Sequence, residues 1–138
     1  MTESSGINYQ SAVNDFQRLR RQAAMQQVLA RLTGRPFHLL PYDVVEELKV
    51  LDMVERGVCE VPLGAIVGSV GRAQDYTRDF LPLKDSDEER WAGIKTAVLD
   101  MKGLPPVDLY QVGEVFFVND GNHRISVAHQ LGTDTITA

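Results

Sequence analysis

The chain is poor in the residues that staple or metallate small proteins. It has one cysteine, Cys59, and three histidines, and no run of about 18 apolar residues. A lone cysteine cannot close an internal disulfide, so packing must hold the fold, and a reducing, cytoplasmic setting is expected. Cys59 has no basic neighbour in sequence to activate its thiol, which predicts a small buried residue rather than a nucleophile. His38, His123, His129 and Cys59 show no metal-ligand spacing, so no metal site is expected. Without a long apolar run there is no membrane span, and the polar start from Met1 to Gly6 has no secretory core. Positive charge is also short: 14 lysines and arginines face 19 acidic residues, a net charge of −5 with a pI near 5.1. That balance disfavours broad nucleic-acid binding.

What is present suits one domain with an added arm: 138 residues, 43% of them apolar. Charge is unevenly placed. Residues 1–35 carry five arginines against Glu3 and Asp15, and the remainder carries nine basic and seventeen acidic residues. A basic arm therefore precedes an acidic body.

Residues 1–7 are expected to be disordered. Asn8 to Leu32 has helical periodicity, with Phe16, Leu19 and Ala23 and then Met25, Val28, Leu29 and Leu32 on the apolar positions. Gly34 and Pro36 end it. Arg18, Arg20 and Arg21 sit off the stripe, as a solvated face or as a contact with an acidic surface, nucleic acid or lipid headgroups. A second helix is expected from Pro41 or Asp43, with Val44, Leu48 and Leu51 inward. Val58 to Pro62 reads as a short strand and Leu63 to Ile66 as a turn. Gly68 to Pro82 reads as a long loop, functional or mobile, in which Ser69, Arg72, Tyr76 and Arg78 are candidate ligand contacts and, on the alternative reading of a surface loop, Tyr76, Phe80 and Leu81 are its anchors. Ser86-Asp87-Glu88-Glu89 has the capping-box spacing and opens a helix with Trp91, Ile94, Val98 and Met101 on one face. Gly103 and Pro105-Pro106 close that helix. Val107 to Val112 and Glu114 to Val118 flank Gly113 as a hairpin. A helix from Gly121 to Leu131 follows, with Ile125, Ala128 and Leu131 inward and Gly132 at its C-terminus. Thr135-Ile136-Thr137 begins a further strand, and its position at the end of the chain predicts a longer parent protein.

The chemistry concentrates where the hairpin meets that last helix, at Asp120-Gly121-Asn122-His123-Arg124. A helix N-terminus offers free N–H groups and partial positive charge, and Gly121 permits close approach by a phosphate. Arg124 supplies a fixed charge with paired donors, and His123 a donor or proton shuttle. Asn122 and, one turn in, Ser126 are further phosphate-binding candidates. Asp120 either caps the helix, binds Mg²⁺ or acts as a base. Asp120 and His123 are the catalytic candidates. Arg124 has an alternative as the partner of Asp75 or Asp79, and His123 as a histidine satisfied by a backbone carbonyl.

The order of elements, with Glu60-Val61-Pro62-Leu63-Gly64-Ala65-Ile66, Gly103-Leu104-Pro105-Pro106-Val107 and the Asp120-to-Arg124 box followed by Ala128 and Gly132, resembles the ParB/sulfiredoxin-like superfamily over roughly residues 58–138. The resemblance implies an α+β fold with a small mixed sheet over residues 57–138 and a helical extension over residues 1–56. It also implies nucleotide phosphates at the helix N-terminus, with CTP or ATP and Mg²⁺ as the expected cofactors. Asn122 stands where sulfiredoxins need a cysteine, so sulfinic-acid repair is not expected. Asn122 and His123 replace the glutamate and first arginine of the ParB box, and depart likewise from the serine-kinase type. A nucleotide-dependent switch, or a weak NTP hydrolase or kinase, is the function implied. The alternatives are an interaction module, homo-oligomeric through the N-terminal helices, and a piece of a DNA-binding regulator, for which the body is too acidic.

Overall fold

The computed structural model describes residues 2–41, 55–99 and 105–138. The expected helix after Pro41, and the Met101 and Gly103 ends of the later helix, lie outside the described residues. Helix α1 runs Thr2–Thr33, so the first residues extend the helix rather than fray from it. Strand β1 is Leu40–Pro41 and β2 is Glu60–Pro62; a 3₁₀ turn, Leu63–Ala65, leads into β3, Ile66–Ser69. Helix α2 covers Glu88–Leu99. Strands β4, Asp108–Val112, and β5, Val115–Asp120, form the expected hairpin, turning at Gly113 with φ of +61°. Helix α3 is Asn122–Leu131 and β6 is Thr135–Thr137. The class is α+β.

Four strands form a mixed sheet in the order β1-β3-β5-β4, parallel except for the β4–β5 hairpin. β2 and β6 pair antiparallel beside it. β5 is central, and Phe117 and Val118, which point to opposite faces, are both buried. Strand β3 escapes the sequence pattern because it is four residues long and Gly68 breaks its apolar run. The glycine is needed: a Cβ there would run into the Leu40 carbonyl oxygen and the Phe117 ring.

Two apolar clusters stand on this frame. One joins Leu39, Val61, Ile66, Tyr76, Phe80, Val118 and Ile125 around the sheet. The other packs Ala12, Phe16, Leu19 and Ala23 of α1 on Trp91 and Ala92 of α2 and Val127 of α3. Lys95 Nζ, itself buried, pairs with Asp15 across the same seam.

Some local expectations change. Ser86 caps nothing, because a 3₁₀ turn, Asp85–Asp87, feeds directly into α2 without a side-chain cap. Cys59 is exposed; its main chain bonds Ala138 both ways at the edge of the small sheet, which turns its side chain outward. Leu131 is 39% exposed, since α3 ends at Gly132 before its last turn meets the core. The stretch from Gly68 to Pro82 is pinned rather than loose. Tyr76 and Phe80 are buried in it, Thr77 Oγ1 accepts from the Asp79 and Leu81 N–H groups, and Arg78 Nε donates to the His38 carbonyl.

Candidate functional site

β5 delivers the chain to α3 through Gly121, whose φ of +116° and ψ of 21° suit glycine alone. A Cβ at this position would stand 2.8 Å from Val107 Cβ. No side chain caps α3, so Asp120 is not the cap. The first helical bond runs from the Ile125 N–H to the Gly121 carbonyl, 3.0 Å. The N–H groups of the first turn are thereby left to whatever lies in front of the helix.

In front lies a cleft of about 330 Å³, lined by Arg72, Arg90, Ile94 and the run from Asn119 to Arg124. Of the sequence candidates, Arg72, Asp120, Gly121, Asn122, His123 and Arg124 come together here. Ser69 and Ser126 do not line it. Ser69, fully buried, donates from Oγ to Asn122 Oδ1 at 3.0 Å, so β3 and the start of α3 are tied together. Ser126 Oγ accepts from Trp91 Nε1 at 2.9 Å and donates to the Phe80 carbonyl at 2.6 Å. These two serines hold the scaffold behind the cleft.

The cations of the cleft differ in how far they are committed. Arg124 donates from Nη1 to the carbonyls of Pro105, at 2.7 Å, and Pro106, at 3.1 Å, and its Nη2 meets Asp120 Oδ2 at 3.2 Å. It therefore pairs with its own neighbour, not with Asp75 or Asp79. Arg72 is held by Asp75, 2.6 Å, and by Asp87, 3.3 Å, while Lys84 takes the other Asp75 oxygen at 2.8 Å. Burial raises the Asp75 carboxyl, but Lys84 and Arg72 outweigh it and hold the group below its ordinary value. Arg90, exposed on α2, has no hydrogen bond or ion pair among the described residues and is the uncommitted guanidinium of the cleft. Sequence reasoning missed it, because α2 is remote from the box along the chain and only packing brings it alongside.

Behind the helix start sits His123, 6% exposed. Its Nε2 lies 3.2 Å from Asp87 Oδ1, within ion-pairing distance but off the line of a hydrogen bond, and it has no aligned partner. The Tyr76 ring stands edge-on to the imidazole at 6.0 Å between centroids, and the buried Tyr76 hydroxyl is likewise unpartnered. Burial, Asp87 and Asp75 together push that phenol's pKa well up, Arg72 opposing. Asp87, which the sequence offered only as part of a capping box, serves both Arg72 and His123 because the 3₁₀ turn directs it inward.

Burial lowers the His123 pKa; Asp87 opposes this, and Arg72 and Arg90 reinforce it. His129, half-buried and stacked on Phe80 at 5.4 Å, is lowered for the same reason, with Asp79 opposing. Both rings thus hold protons less readily in the fold than in the unfolded chain, where they take them up below the ordinary value of 6.5. Stability is therefore full above that value and falls as pH drops through the lower folded values. Melting curves between about pH 7.5 and about pH 5 are expected to show a falling Tm, with a shallower slope in His123→Gln. An unchanged slope would mean that the ring is not buried neutral.

No protein-family model matches the chain, and no curated protein matches it. Among solved structures the chain is similar to the sulfiredoxin from Arabidopsis thaliana, at 18% identity and a TM-score of 0.45, over 59% of this chain and 81% of that one. Among the described residues no group of three His, Cys, Asp or Glu side chains is placed to hold a metal ion, and no helix is long and apolar enough to cross a membrane.

Proposed function

We propose that the chain is a phosphate-ligand-binding domain that takes a nucleotide at the start of α3. The observation that carries this reading is the joint exposure, on one cleft, of an uncapped helix N-terminus and the unpaired guanidinium of Arg90. The two are complementary to a phosphate group: N–H donors and partial positive charge from the helix, paired donors and full charge from the arginine. His123 lines the same cleft, with its Nε2 buried 3.2 Å from Asp87 Oδ1. Asp120 is the one carboxylate lining the cleft among the described residues, and Arg124 pairs with it. A Mg²⁺ ion arriving with CTP or ATP would find its protein oxygen there. Asn119 also lines the cleft, and its Nδ2 donates to Asp108 Oδ2 at 2.6 Å.

The test is a thermal-shift series with nucleoside mono-, di- and triphosphates and inorganic phosphate, each with and without Mg²⁺. A ligand at a hundred times its Kd stabilises by about 2.7 kcal/mol. Arg90→Ala is expected to leave the unliganded Tm unchanged, because the side chain is exposed and unpaired, and to weaken binding roughly tenfold or more, the worth of a charge-assisted bond. Arg124→Ala should differ by lowering the unliganded Tm as well, since it releases the carbonyls of Pro105 and Pro106. If no phosphate compound shifts the Tm of the unmodified protein, the proposal fails.

A further inference from the structure

Helix α1 has two apolar faces and the body uses one. Ala12, Phe16, Leu19 and Ala23 are buried against α2, while Met25, Val28, Leu29 and Leu32 are 68%, 56%, 54% and 79% exposed. At about 100° per residue the second set is centred roughly 160° around the helix from the first. The body-facing side continues past Ala23 as the half-buried Gln26, Gln27 and Ala30. The exposed stripe therefore points away from the domain rather than along its seam.

Charge on this part of the helix is of one sign. From Phe16 to Arg35 there are five arginines and no acidic residue. Arg20 is paired with Asp85 and Arg18 with Asp15, whereas Arg21, Arg31 and Arg35 are exposed with no partner among the described residues. On the same helical projection Arg21 falls within the stripe and Arg31 to one side of it, while Arg35 follows Gly34 just past the helix end. Guanidinium groups flanking a strip of large apolar side chains are complementary to an anionic interface, whose acyl boundary takes the apolar groups and whose headgroups take the charge.

We infer that the C-terminal half of α1 lies on anionic lipid, inserting Met25, Val28, Leu29 and Leu32 at the headgroup boundary with Arg21, Arg31 and Arg35 on lipid phosphates. A second copy of the chain fits the stripe less well. Packing two stripes together brings unpaired arginines to the rims of both with no carboxylate between Asp15 and Asp43 to offset them. It also covers four side chains a side, where a stable protein pair uses about 20–30 residues. The body beyond residue 35, with seventeen acidic and nine basic residues, is repelled by the same surface, which orients the molecule arm-first.

The experiment is co-sedimentation of the whole chain with vesicles of phosphatidylglycerol and phosphatidylcholine, against phosphatidylcholine alone. Binding is expected to the first and at least tenfold less to the second, falling as salt rises. Leu29→Glu should reduce it about tenfold with an unchanged Tm, and Arg21→Gln combined with Arg31→Gln should reduce it with an unchanged oligomeric state. Equal binding to both vesicle types, or binding to neither, overturns the inference. So does a dimer in sedimentation that Leu29→Glu dissolves, since a second copy would then cover the stripe. A marked fall in Tm for Leu29→Glu overturns it too, because the stripe would then be covered within the chain.

Discussion

Gly121→Ala is expected to lower folding stability by about 3 kcal/mol, roughly 10 °C in Tm, and to abolish ligand binding at the cleft. Two costs combine. Alanine strongly disfavours a φ of +116°, and its Cβ would stand 2.8 Å from Val107 Cβ and 3.2 Å from Arg124 Nη2. Relief of that clash moves Val107, which follows directly on the two prolines whose carbonyls hold Arg124. The N-terminus of α3 and the wall of the cleft shift together, so stability and binding are lost at one point. Gly121→Ala in a Val107→Ala background recovers only the part of the clash that falls on Val107 Cγ1, 2.5 Å away; the Cβ contact and the backbone cost remain. A Gly121→Ala protein that melts with the unmodified one would show that the junction is not built this way.

Trp91→Ala is the second large effect, a loss of about 4 kcal/mol. Trp91 is fully buried where three helices meet. Its ring lies 5.8 Å from that of Phe16, Lys95 Nζ sits 5.8 Å above it, and Nε1 donates to Ser126. Truncation leaves a cavity between α1, α2 and α3 and removes one of the two bonds that fix Ser126 Oγ. Trp91→Phe keeps most of the apolar area and loses the donor, so it should cost only about 1–2 kcal/mol. Chemical denaturation of the three proteins reads this directly. Equal losses for the alanine and phenylalanine variants would place the stabilisation in the hydrogen bond rather than in the packing.

Much of the architecture was legible because its causes are local. The β4–β5 hairpin followed from two β-rich runs around Gly113, and α3 from the periodicity between Gly121 and Gly132. The first half of α1 followed from the spacing of Phe16, Leu19 and Ala23. Strands β1 and β3 were not legible: two and four residues carry too little periodicity, and β3 exists because β5 offers it an edge and β1 because β3 does. Periodicity also misleads over the second half of α1, where Met25, Val28, Leu29 and Leu32 repeat the helical spacing yet remain exposed, because the pattern rotates away from the body after Ala23.

The same division holds at the candidate site. By itself the sequence determined that a glycine-led helix start carries Asn122, His123 and Arg124, since strand, glycine and helix are contiguous along the chain. Tertiary structure alone decided which of its polar groups are free. It turned Ser69 and Ser126 into struts, committed Arg124 to the carbonyls of Pro105 and Pro106, and directed Asp87 towards Arg72 and His123. It also brought Arg90 from a separate helix to face the cleft unpaired. A short stretch of sequence states which donors and charges exist, whereas their availability depends on partners tens of residues away, and packing alone brings those partners within reach.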